Sequence, residues 1–353
     1  MENKRLLITR LNVWYDPAME RILSARPNLE LRTCAQDGDE NLTRQSLMQS
    51  LVYQIPSSRD EVRDAWMVSS DFLQLCQQLL CVSVNEAGYD TVDVPACTKA
   101  GVMVVNQSGA NAQSVAETTI GLILDVSRRI SESDRLIRQK RGFSREYLMG
   151  SEISGKTIGL IGFGHIGKKV AMLAKAFSMR VLVFDPYLDA AIINQSNCES
   201  VGFSALLESS DFVSLHCPRN SSTLNMIDEE AIAKMKPGAV FISTARGGIH
   251  NEAALFNALK SGHLSGAGLD VWEHEPPALD HPLLSLDNVV ATFHTAGVTI
   301  EARRNMATCA AEQIITVLQG KKPSRFVNPE VWPIFRERYE KIMAGRMLLQ
   351  SCN

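Results

Sequence analysis

Residues 158 to 185 read IGLIGFGHIGKKVAMLAKAFSMRVLVFD. A short apolar strand, a glycine turn, a helix, a second apolar strand and a terminal Asp follow one another there without interruption. Gly162, Gly164 and Gly167 fall in GxGxxG spacing. The first allows a tight turn, the second lets the backbone approach a pyrophosphate, and the third lets helix and strand pack closely. The start of the helix offers free N–H groups and a positive dipole end to the phosphates. Asp185 lies 18 residues beyond Gly167, where an acidic side chain accepts bonds from both ribose hydroxyls of NAD and repels a 2′-phosphate. A bare GxGxxG can also be a ligand-free strand-to-helix turn. Here Ile158 to Ile161 precede it, and Ile166, Val170, Leu173 and Ala174 follow it at helical spacing, so the surrounding unit selects a dinucleotide site.

At 353 residues the chain has room for two domains of about 150 residues each. Strand signals at 5–10, 29–34, 50–55, 79–85 and 101–106 alternate with helix signals near 18–25 and 92–100, which predicts a mostly parallel α/β sheet. One long helix is expected over 114–139. After Asp185, strands at 212–217, 239–244, 267–271 and 288–293 alternate with helices at 228–234 and 251–261. A last helix, 300–318, leads into what reads as a short tail. The expected fold class is α/β with two doubly wound parallel-sheet domains. A Rossmann NAD-binding domain, 107–299, is inserted in a flavodoxin-like substrate domain built from 1–106 and 300–353, with hinges near 107–113 and 298–302. Such an insertion predicts a cleft between domains, where binding sites concentrate.

The net charge of -3, with 45% hydrophobic and 21% charged residues, gives no field for binding nucleic acid. No apolar run approaches the roughly 18 residues of a membrane helix, and the start lacks a secretory pattern. A cytoplasmic protein with no membrane partner is expected. Cys34, Cys76, Cys81, Cys97, Cys198, Cys217, Cys309 and Cys352 show no CxxC spacing, so neither a metal site nor a disulfide framework is signalled.

Three polar residues close strands in the second half: Arg246 after FISTA, Glu275 in LDVWEHEPP and His294 after VVATF. Singly, each has a bland reading as a surface ion-pair partner, a loop carboxylate or a satisfied buried histidine. Together they supply what nicotinamide chemistry asks of a protein. A His moves a proton near neutral pH, a carboxylate raises its proton affinity and fixes its ring, and an Arg holds a substrate acid.

With these motifs in place, the chain resembles the D-isomer-specific 2-hydroxyacid dehydrogenases. The likeness runs from about residue 50 to 330 and rests on AGYDTVDVPACTKAGVMVVN (87–106), SVAETTIGLIL (114–124), GKTIGLIGFGHIGKKVA (155–171), MKPGAVFISTARGG (235–248), GAGLDVWEHEPP (266–277) and HTAGVT (294–299). The resemblance implies Arg246 as substrate-orienting cation, Glu275 as partner of the histidine and His294 as acid/base. It also implies cofactor contacts from His165 and Ile166, from Asp185, from Cys217 and Pro218 beside the adenosine, from Thr244 and Ala245, from Asp270 at the carboxamide, and from His294, Ala296 and Gly297. A homodimer joined through the NAD-binding domains is implied as well, with 114–139 and 143–150 at the interface.

The chain departs from the family pattern at one turn. Where a Gly-x-Gly turn usually holds the substrate carboxylate on backbone N–H groups, this chain reads Asn85, Glu86, Ala87, Gly88. Either Glu86 points to solvent and the Ala87 and Gly88 N–H groups still bind the acid, as backbone donors allow, or Glu86 repels an acid and selects a substrate bearing a hydroxyl or ammonium. Arg59, in the loop Ser57, Ser58, Arg59, is either solvated or a holder of a distal phosphate or carboxylate. The function expected is hydride transfer between NAD(H) and C2 of a D-2-hydroxy acid or 2-oxo acid, either phosphoglycerate dehydrogenase-like or hydroxypyruvate/glyoxylate reductase-like. An NAD(H)-sensing binding protein of the corepressor kind is the alternative.

Overall fold

The computed structural model describes residues 5–12, 14, 16–140 and 144–351, with side chains through Arg346. Residue 143 of the expected interface segment and Cys352 lie outside the described residues. The chain divides into two compact units, one made of the residues up to Asn111 with those from Thr299 on, the other of Ala112–Val298.

Unit 1 alternates β1 (Leu6–Asn12), α1 (Pro17–Ser24), β2 (Leu29–Ala35), α2 (Glu40–Gln49), β3 (Val52–Ile55), α3 (Ser70–Leu75), β4 (Cys81–Val84), α4 (Val94–Lys99) and β5 (Met103–Val105). The strands line up as β2-β1-β3-β4-β5, every pair parallel, which is the flavodoxin-like order. Strands covered on both faces must be apolar throughout. Accordingly Val52, Cys81 and Met103 pack into one core while Tyr53, Ile55, Val82 and Val104 pack into the other.

Unit 2 runs α5 (Ala112–Arg128), α6 (Ile130–Gln139), β6 (Thr157–Ile161), α7 (His165–Ala176), β7 (Arg180–Phe184), α8 (Ala190–Gln195), β8 (Glu199–Ser200), α9 (Phe203–Ser209), β9 (Phe212–Leu215), α10 (Glu229–Ala233), β10 (Ala239–Ser243), α11 (Glu252–Lys260), β11 (Leu264–Leu269) and β12 (Val289–Ala291). Its parallel sheet is ordered β12-β11-β10-β9-β6-β7-β8. The chain reverses its direction of travel across the sheet between β6 and β9, which opens a ligand crevice at their carboxyl ends. Two further helices, α12 (Ile300–Leu318) and α13 (Trp332–Ser351), belong to unit 1.

Two expectations need correction. The single helix over 114–139 is two, because Arg129 adopts φ 53° and breaks the repeat. The break is held by the Arg129 guanidinium on Glu132 at 2.7 Å and by Asp125 accepting the Ser131 N–H at 2.7 Å. The short tail is in fact the helix α13, whose buried Phe335 joins the core under β1, β3 and β4. Among the described residues no helix is long and apolar enough to cross a membrane, and no cluster of His, Cys, Asp or Glu is arranged to hold a metal.

Candidate active site

The glycine turn of unit 2 is shaped by contact on two sides and open on the third. At Gly162, φ is +98° and a Cβ would meet the Cys217 nitrogen and the His216 carbonyl at 2.8 Å; at Gly167 it would sit 2.3 Å from the Gly162 oxygen. Gly164, by contrast, faces open space and caps α7 without a side-chain partner. The N–H groups of His165 and Ile166 therefore begin the helix facing space that an anion can fill. Asp185 is braced at the same place, with Oδ2 accepting from Phe163 N at 2.8 Å and Oδ1 from Tyr187 N at 3.0 Å. Each carboxylate oxygen keeps a further lone pair for a ribose hydroxyl. Cys217 and Pro218 follow β9 on the neighbouring side, and Thr244 is buried against Thr119 with their hydroxyls 3.0 Å apart. These residues fit a bound dinucleotide.

Arg246, Glu275 and His294 follow β10, β11 and β12, three adjacent strands. His294 Nδ1 lies 2.7 Å from Glu275 Oε2, and Glu275 Oε1 accepts from Trp272 N at 3.0 Å. With Nδ1–H donated to the carboxylate, Nε2 is the ring atom left for chemistry; it meets no polar partner among the described residues. Burial pulls the His294 pKa down and the charge of Arg246 adds to that pull, yet the hydrogen bond and charge of Glu275, with the charge of Asp270, outweigh both and the net shift is upward. Burial raises Glu275, but its bonds to His294 and Trp272 and the nearby Arg246 charge bring it below the ordinary carboxylate range. Arg246 thus acts electrostatically on both members of the pair, and its Nη1 donates to the Ala245 carbonyl at 2.8 Å.

Two features assemble this trio, a close approach and an anchoring role that sequence reasoning did not assign. A Cβ on Gly247 would lie 1.8 Å from the Trp272 carbonyl oxygen, so only glycine lets the loop after β10 press against the loop after β11. The second is Asp270, which is fully buried and fixes the histidine loop. Its carboxylate accepts from Thr292 Oγ1, Thr295 N and Ala296 N at 2.6, 2.8 and 2.9 Å, and its carbonyl accepts from His294 N at 2.7 Å. His294 is held there at φ 52°, a left-handed conformation that is uncommon without glycine. The expected carboxamide contact leaves out this anchoring role.

Unit 1 gathers Arg59, Ala87 and Gly88 at the carboxyl ends of β3 and β4. Arg59 is exposed, with its Nε donating to the Asp90 carbonyl at 2.9 Å, and Thr91 Oγ1 donates to the Pro56 carbonyl at 2.6 Å. The Glu86 and Ala87 carbonyls are taken by Gln107 N at 2.8 Å and Asn106 Nδ2 at 2.6 Å. In trans peptides the N–H points opposite the carbonyl, so the Ala87 and Gly88 donors are turned the other way, and neither has an acceptor among the described residues. The solvent-pointing orientation expected for Glu86 is wrong: its side chain is only 22% exposed and pairs with Arg303 at 2.7 Å. The cause is a partner 217 residues distant in the chain, which no local pattern announces.

Comparison with known proteins decides the family. Residues 120–296 match the family model described as D-isomer specific 2-hydroxyacid dehydrogenase, NAD binding domain. This chain belongs to that family. Unit 2 is therefore a 2-hydroxyacid dehydrogenase NAD-binding domain. The chain is 40% identical over 273 residues to D-3-phosphoglycerate dehydrogenase of Archaeoglobus fulgidus, covering 77% of this chain and 52% of that one. It is also 40% identical over 293 residues to glyoxylate reductase of Thermofilum pendens, covering 78% and 86%. It thus spans about half the length of the phosphoglycerate dehydrogenases it matches. Among solved structures, D-lactate dehydrogenase of Aquifex aeolicus complexed with NAD and lactic acid superposes with TM-score 0.77 at 26% identity, over 91% of this chain and 98% of that one. The dehydrogenase fold is shared, while the named substrates of these relatives differ.

Proposed function

We propose that this chain is an NAD-dependent D-2-hydroxyacid dehydrogenase, interconverting a D-2-hydroxy acid and its 2-oxo acid at C2. The observation that carries the reading is the 2.7 Å contact of His294 Nδ1 with Glu275, which leaves Nε2 open beside Arg246 on the unit bearing the dinucleotide turn. Bound NAD(H) supplies the hydride chemistry. The protein moves the proton. Protonated His294 donates from Nε2 to the carbonyl oxygen as charge develops there, and neutral His294 takes the proton back from the alcohol. Glu275 stabilises the imidazolium and fixes its tautomer. On unit 2, Arg246 holds the acid and carbonyl oxygens. On unit 1, the Ala87 and Gly88 N–H groups are the donors suited to a carboxylate. Asp185 favours NAD over its 2′-phosphorylated form.

We place this enzyme in the cytoplasm, acting as a homodimer through unit 2. Support for the dimer comes from large apolar side chains left exposed on α6 and after it: Ile130 at 54% and Met149 at 68%. Exposed apolar side chains of this size are what a subunit contact would cover. The functional reading is tested by following NADH absorbance with a series of 2-oxo acids. Turnover of at least one, lost in His294→Ala, is expected. Tight NADH binding with no turnover of any 2-oxo acid would instead leave a nucleotide-sensing protein.

A further inference from the structure

Arg303 joins three residues from separate segments of unit 1 in one cluster. Arg303, in the first turn of α12, donates from Nη1 to Glu86 Oε1 at 2.7 Å. Ser57, after β3, donates to Glu86 Oε2 at 2.5 Å. The Arg303 guanidinium carbon lies 4.0 Å from the ring centroid of Trp14, which follows β1. Arg303 and Glu86 are 19% and 22% exposed, so both charges are largely withdrawn from water. Trp14, Ser57 and Glu86 all follow carboxyl ends of β-strands, the edge at which an open α/β sheet holds its ligand. The unit thus contains an arginine, oriented by an aromatic face, whose acid partner is supplied by the chain itself.

A half-buried ion pair of this kind adds little net stability. Its larger consequence is for charge. Glu86 sits directly before the two open N–H groups of Ala87 and Gly88. Left alone, it would repel an acid arriving there; paired, it does not. Arg303, left alone, would attract a second anionic group on a substrate; paired, it is occupied.

We propose that the Glu86–Arg303 pair is an internal counter-ion that sets substrate class, restricting the enzyme to 2-oxo acids with a single acidic group and excluding dicarboxylic or phosphorylated ones. This rests on the dehydrogenase reading above and narrows it. Glu86 then acts as a specificity-determining residue and Arg303 as the cation it masks. The carboxylate of Glu86 stands where a second substrate carboxylate or phosphate would stand.

The test is steady-state kinetics with NADH, comparing glyoxylate and pyruvate with oxaloacetate and a phosphorylated 2-oxo acid. The unmodified chain should favour the mono-acids. In Glu86→Gln, which keeps size but not charge, kcat/KM for the di-acids relative to the mono-acids should rise at least about tenfold, mainly through KM, as expected for one charge-assisted contact. Glu86→Gln combined with Arg303→Gln should return that ratio to its starting value. A tenfold gain that survives loss of Arg303 would assign the effect to something other than the pair. An unmodified chain that prefers a di-acid, or a ratio unmoved in Glu86→Gln, overturns the proposal, and the first of these needs no variant to fold. If NADH binds but no 2-oxo acid is turned over, the dehydrogenase reading itself fails and takes this proposal with it.

Discussion

At the scale of single residues, the proton on His294 is the most exposed to experiment. Its folded pKa is raised, with burial and Arg246 opposed and overcome by Glu275 together with the Asp270 charge. Reduction needs the imidazolium, which is present below that raised pKa and lost as pH rises through it; oxidation gains over the same interval. Glu275→Gln removes the stabilising charge and should move the limb for reduction to lower pH, while leaving NADH affinity nearly unchanged. His294→Ala should slow hydride transfer by roughly 10² to 10⁴. Pre-steady-state hydride transfer across pH reads both, and an unmoved limb in the glutamine variant would remove Glu275 from the mechanism. Asp185 carries the second expectation. Its carboxylate, braced by Phe163 N and Tyr187 N, should make kcat/KM higher with NADH than with NADPH, and Asp185→Ala should narrow the gap. Equal efficiencies in the unmodified protein would reject that role. That Arg246, Glu275 and His294 follow three different strands was legible because apolar runs mark where strands stop. The Asp270 anchor and the Arg303 partner of Glu86 were not, since both act through contacts between segments far apart in sequence.

At the scale of elements, legibility followed periodicity. Strands buried on both faces, such as Ala239–Ser243, announce themselves as continuous β-branched and apolar runs. Short helices such as α8 and α9, of 6 and 7 residues, carry too few turns for a helical repeat to emerge. The break at Arg129 depends on side-chain bonds to Glu132 and Asp125, and an arginine is an ordinary helix former, so composition gave no sign of it. The terminal helix α13 escaped because its hydrophobic residues are interspersed with Arg and Glu. It is nonetheless part of the core: Phe335 is fully buried, and Arg338 donates to the Leu79 and Gln77 carbonyls at 2.8 Å. Phe335→Ala should therefore destabilise unit 1 by about 3–5 kcal/mol, seen as an earlier urea transition. A loss below about 1 kcal/mol would mean that α13 is an accessory.

At the scale of the whole molecule, the α/β class with two parallel sheets was legible because strand and helix signals alternate along the chain, and alternation requires crossover connections. Assembly is the property to measure here. Light scattering should give twice the chain mass of 38.9 kDa, and Ile130→Glu with Met149→Glu should return it to the single-chain value. A single-chain mass for the unmodified protein would reject the dimer. Unit 1 draws on both ends of the chain: Ile8, Val52, Cys81 and Met103 share a core with Ala311, Ile314 and Phe335, whereas every strand of unit 2 lies within one uninterrupted stretch. On the ribosome, where domains fold as units while synthesis proceeds, the nucleotide-binding unit can close before the substrate unit has received its last helices. Strands β1 to β5 must wait, one apolar face uncovered, for α12 and α13 to arrive, and a face left open for that interval is what chaperones shield.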